Sequence, residues 1–112
     1  MSAATERRRA PRALADFPIQ LSPEQGATEA RLKDLSTIGL CCTTPQEVPE
    51  LSQVGIALQL PNAHEQHQVI GAVVRCEAEE EGDNYEVAVY FTEIGEDTKA
   101  ALEAFVSQGV PA

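Results

Sequence analysis

The sequence predicts an all-β fold: a small six-stranded antiparallel β-barrel, closed by one C-terminal α-helix and preceded by a flexible N-terminal arm. Three observations carry that expectation. Six short segments alternate apolar and polar residues or run nearly apolar, as half-buried strands do. Clusters of Gly, Pro, Asn and Ser punctuate them at short intervals. The one convincing helical pattern comes last, over Glu96 to Gln108. At 112 residues there is room for one domain and one core. The division expected is an Arg-rich arm over 1–15 and a single barrel domain with its helix over 16–112.

Residues 1–15 show no periodicity and contain Pro11, so they read as an arm without a face to bury. Phe17 to Ser22 alternates as a first strand, with Pro18 at its start or at an edge. Ser22-Pro23-Glu24-Gln25-Gly26 is a turn. Ala27 to Leu35 forms a second strand that puts Thr28, Ala30, Leu32 and Asp34 on one face and Arg31 and Lys33 on the other. Asp34 to Gly39 is a corner, where Asp34 and Ser36 can bond nearby backbone donors. Gly39 there can take positive φ or admit a flat ring.

Ile38 to Thr44 is the third strand, in which the neighbours Cys41 and Cys42 must face opposite ways. After the Pro45–Pro49 loop, Val54 to Leu60 alternates as the fourth. Gln68 to Glu77 is the fifth, and Gly71 inside it marks a bulge or bend. Glu79 to Asn84 is a solvated acidic hairpin tip. Tyr85 to Thr92 is the sixth strand, with Tyr85, Val87, Val89 and Phe91 on one side. In the helix, Ala101, Leu102, Phe105 and Val106 make the apolar stripe, with acids in its first turn.

Composition narrows the function. The chain has 8 Lys+Arg against 18 Asp+Glu, a net charge of −10. Residues 1–12 hold four arginines and one glutamate, a net +3, so the other hundred residues carry −13. Such a split marks an interaction arm for an anion, while the acidic body argues against general DNA or RNA binding. Three cysteines without Cys-x-x-Cys spacing suit reduced thiols in a cytosol rather than a disulfide framework or a metal site. No apolar run nears the roughly 20 residues of a membrane span, and the basic start lacks the apolar core of a signal peptide. Ser36 lacks a nucleophile-elbow setting, and His64 and His67 fall in a loop and a strand start, as surface residues do. No catalytic residue and no enzyme activity is expected.

Arg8-x-x-x-Arg12, followed by Asp34-x-Ser36-x-x-Gly39 beyond the first strand, resembles the PilZ domain family of bacterial cyclic di-GMP receptors. Each motif alone is weak, and Asp-x-Ser is equally the pattern of a self-capping turn. Their order and spacing make the pair specific, and the strand order and final helix resemble the family along almost the whole chain. Tyr85 to Thr92 is similar to its last strand, except that Ala88 stands where the family often has Gly. Arg75 matches an Arg near the end of its fifth strand.

The resemblance implies a cytoplasmic receptor that binds cyclic di-GMP through Arg8, Arg12, Asp34, Ser36 and Gly39, with Arg7 and Arg75 as further contacts. It implies no cofactor beyond this ligand, no metal and no membrane insertion. A stand-alone receptor of this kind would act as an adaptor, changing its surface for a downstream effector protein. The alternative within the family is a ligand-independent interaction module, such as those of type IV pilus assembly. Spacing alone gives Arg7 and Arg9 no role.

Overall fold

Alternating side chains become a closed structure only when each strand finds two neighbours, and here all six do. The structure, a computed structural model, describes residues 12–23, 26–61, 63–80 and 82–108. Its elements are β1 (Ala13–Leu14), β2 (Pro18–Ser22), β3 (Thr28–Leu35), β4 (Gly39–Thr44), β5 (Gln53–Leu58), β6 (His67–Ala78), β7 (Tyr85–Glu93) and α1 (Glu96–Gln108). The sheet runs β3–β2–β5–β6–β7–β4 and returns to β3, every pair antiparallel. Closure removes the free edges that an open sheet would expose to other chains. The expected six-stranded barrel with one C-terminal helix is the observed architecture.

Three residues assigned to the arm from the sequence are held on the barrel instead. Ala13 and Leu14 pair with Leu35 and Asp34 of β3, just beyond the reach of β2, and the Ala15 amide donates to the Lys33 carbonyl at 2.9 Å. Ala13 is fully buried because its methyl completes an inward row across five strands: Ala13, Leu35, Leu40, Val89 and Val73. Of the expected arm, residues 1–11 lie outside the described residues.

The core follows the alternation elsewhere. Leu21, Leu32, Val54, Ile56, Leu58, Val69, Val87 and Phe91 all point inward. Helix α1 closes one end of the barrel with Leu102, fully buried, while the Phe105 ring meets Phe17 edge-on at 6.2 Å. His67, expected at the surface, is buried at the start of β6, where Nδ1 lies 2.8 Å from the Thr98 hydroxyl of α1. It is an inward position of β6, in contact with the packed helix.

Three register shifts break the period of two. Lys33 is the extra residue of β3 between Leu32 and Asp34, and Val74 that of β6 between Val73 and Arg75. Thr92 is extra in β7 opposite the Ile70–Gly71 step, the bend that Gly71 signals in the sequence.

Candidate functional site

The bulge at Lys33 decides which way Asp34 faces. Strict alternation puts Asp34 inward with Ala30 and Leu32. The extra residue reverses the phase, so that Leu35 enters the core and Asp34 turns outward opposite Cys41. The bulge at Val74 does the same for Arg75, which faces outward opposite Ala88. Between them, β4 and β7 supply Cys41 and Ala88 in register. The outer face thus carries one row across five strands: Leu14, Asp34, Cys41, Ala88, Arg75. At about 4.8 Å per strand, Asp34 and Arg75 stand roughly 14 Å apart over a floor of small side chains.

Arg12 is brought to one end of this row. Its Nη1 donates to Asp34 Oδ1 at 2.5 Å, and both side chains stay partly exposed, at 42% and 24%. The two motifs of the sequence put these residues in one site, and the structure joins them directly. At the other end, Arg75 Nη1 lies 3.1 Å from Glu77 and 3.8 Å from Glu86.

Ser36 and Gly39 have other duties. Ser36 is fully buried, its Oγ accepting from the Ile38 and Gly39 amides and lying 3.2 Å from the Gly39 carbonyl. Its own amide donates to the same carbonyl at 2.9 Å. The hydroxyl is therefore committed to the self-capping turn that Asp-x-Ser also predicts, and that turn aims Asp34. Of the two roles open to Gly39 in the sequence, positive φ is not the one it fills. The described glycines with positive φ are Gly26 and Gly82. What requires glycine at 39 is space, because a Cβ there would fall within 3.0 Å of the Val89 carbonyl oxygen on β7. Arg7 and Arg8 lie outside the described residues.

Two residues beside the row had no assigned role. Lys33 Nζ reaches across β4 to Glu86 Oε2 at 2.9 Å, and the Cys41 thiol donates to the same oxygen at 3.4 Å. The Lys33 hydrogen bond, then that of Cys41, holds the Glu86 carboxyl below its ordinary range, and Glu86 in turn holds Lys33 above its own. Burial first, and then Glu86, pushes the Cys41 thiol up to about 11, so it stays a neutral donor. Cys42, inside the barrel, is pushed by burial to about 12. The alternation of β7 could have shown Glu86 facing outward with Ala88 and Tyr90. Nothing local could have shown Lys33 meeting it from two strands away.

The other side of the barrel offers a groove of about 580 Å³ between β2 and β5, lined by Phe17, Ile19, Leu60 and Ala63, with Glu29 its one charged side chain. Among the described residues its lining offers none of the cations that an anionic ligand needs. Among the described residues no His, Cys, Asp and Glu group is arranged to hold a metal ion, and no helix is long and apolar enough to cross a membrane.

Comparison with known proteins bears on the fold and the family. No curated protein matches the chain in sequence. Solved structures match in fold. The Bacillus subtilis inhibitor of motility (MotI/DgrA) superposes with a TM-score of 0.80 at 17% identity, over 91% of this chain and 50% of that protein. This chain thus spans half the length of that relative. The PilZ domain of YcgR from Escherichia coli, solved with c-di-GMP, gives 0.68 at 15% identity, over 90% and 89% of the two chains. Borreliella burgdorferi PlzA in complex with c-di-GMP gives 0.66 at 9%, over 94% and 43%. The PilZ domain description itself matches residues 6–108, from before the first arginines to the end of α1. With the barrel, the helix and that match in agreement, the chain belongs to the PilZ domain family.

Proposed function

We propose that this protein is a cyclic di-GMP receptor that binds its ligand on the outer face of β3, β4, β7 and β6. The observation that carries the reading is the Arg12–Asp34 pair at the head of a row floored by Cys41 and Ala88. Family membership supports it, as do two structural neighbours solved with c-di-GMP.

The chemistry of guanine suits this pair. Its O6 and N7 accept two parallel hydrogen bonds from an arginine fork, which Arg12 can offer. Its N1–H and N2–H₂ donate to a carboxylate such as Asp34. Arg8, and Arg7 beside it, would add charge-assisted contacts from the N-terminal segment. Arg75 stands where the far part of an extended ligand would lie. Ser36 and Gly39 serve by shaping the corner that aims Asp34. Binding changes the surface around Arg12, and that change would recruit or release an effector protein in the cytoplasm, without catalysis.

Calorimetric titration tests the reading. The wild type should bind cyclic di-GMP and discriminate strongly against cyclic di-AMP, whose N6 amino group cannot accept from a guanidinium. Arg8→Ala and Arg12→Ala should each weaken binding by roughly 1–3 kcal/mol, about 5- to 150-fold. Equal affinity for the two dinucleotides, or no loss in either variant, would refute the site. Limited proteolysis adds a second readout: trypsin should cut after Arg8 and Arg12 more slowly once ligand is bound.

A further inference from the structure

The outer face contains a cluster that the guanine-reading pair does not use. Lys33 and Arg75 come from β3 and β6, which are not neighbours, and each sits at or beside a bulge. Both converge on Glu86 of β7, Lys33 at 2.9 Å and Arg75 at 3.8 Å, and the Cys41 thiol joins them at 3.4 Å. Glu77 also holds Arg75, so two cations face two carboxylates. Glu86 keeps 29% of its side chain exposed, and Cys41 and Ala88 beside it carry only small side chains.

We infer that Lys33 and Arg75 form an anion subsite that the Glu86 carboxylate occupies in the free protein, and that a ligand phosphate enters by displacing it. This rests on the proposed receptor function for the identity of the phosphate, though not for the subsite itself. A carboxylate and a phosphate present the same kind of acceptor oxygen to ammonium and guanidinium groups. A phosphate carries more oxygens and can engage both cations together, whereas Glu86 reaches Arg75 only at long range. The displaced carboxylate is exposed enough to regain water, which keeps the exchange cheap. The position also fits, since a ligand anchored at Asp34 must cross Cys41 and Ala88 to reach Arg75. Glu86 is thereby an affinity-setting residue, a competitor built into the sheet.

The experiment uses the full chain, with inorganic pyrophosphate and cyclic di-GMP as separate probes at low ionic strength. Glu86→Gln keeps the shape of the side chain and removes its charge. It should bind pyrophosphate about 2- to 5-fold more tightly than the wild type. Adding Lys33→Met, which keeps the apolar stem, should abolish the gain. Glu65→Gln removes an equal charge from an exposed loop and should leave affinity unchanged. The inference is overturned if Glu86→Gln binds pyrophosphate no better than the wild type. A gain that survives Lys33→Met, or that Glu65→Gln reproduces, overturns it equally. In the cyclic di-GMP arm the same order of affinities is expected. If no variant binds the dinucleotide, the receptor reading falls, while the pyrophosphate arm still decides the subsite.

Discussion

Replacing Gly39 by Ala should destabilise the protein through one contact. The new Cβ would lie within 3.0 Å of the Val89 carbonyl oxygen and 3.4 Å from its carbon. Carbon and carbonyl oxygen normally meet at about 3.3 Å or beyond. A backbone oxygen in the middle of a strand cannot rotate aside, so β4 and β7 must part. They would part where Gly39 pairs with Tyr90 and where the Phe91 amide donates to the Ile38 carbonyl at 2.8 Å. Overpacking costs about 1–3 kcal/mol, and loosening a ladder hydrogen bond about 1 more. A total of about 2–4 kcal/mol lowers Tm on the order of 10–20 °C in a domain of this size. Urea and thermal unfolding followed by circular dichroism read the loss directly. Gly26→Ala is the matched comparison: it has open space around its Cβ but a φ of +119°, so it isolates backbone strain. A Gly39→Ala protein melting within about 3 °C of the wild type would refute the steric argument.

Three further outcomes are expected. A double-mutant cycle on Arg12 and Asp34 should give a coupling of about 0.2–1 kcal/mol that fades with added salt, because both side chains are partly exposed; zero coupling at low salt would show that the pair does not persist in solution. Native Cys41 and Cys42 should resist a thiol reagent at pH 8, with thiols pushed up to about 11 and about 12, and should react once urea unfolds the barrel; rapid native labelling of Cys41 would contradict its burial beside Glu86. Because the folded Glu86 carboxyl titrates below its ordinary value, its stabilising contribution is present above the unfolded pKa near 4.5 and is lost as pH falls through the lower folded one. Glu86→Gln should therefore flatten that part of the acid-unfolding curve, and an unchanged curve would contradict the ion pair.

Much of this protein is legible in the chain alone. The alternation in β2, β5 and β7 and the stripe in α1 name their buried residues, since a side chain's face follows from its position within a regular element. Gly71 announces its bend, and Asp34-x-Ser36 announces a self-capping turn. The arginines and that corner also suffice to identify the family. The local pattern could not say which way Asp34 faces. Its alternation with Ala30 and Leu32 points it into the core, and only the pairing of β3 with β4, which leaves Lys33 unmatched, turns it out toward Arg12. Gly39 likewise reads as a turn glycine until β7 lies against it and makes space the requirement. His67 is a surface residue by sequence and a buried one beneath α1. Lys33 meets Glu86 and Arg75, which share the β6–β7 hairpin, from a strand 53 residues before Glu86. In each case the deciding neighbour comes from another strand or the helix, so a period of two along one segment carries no trace of it.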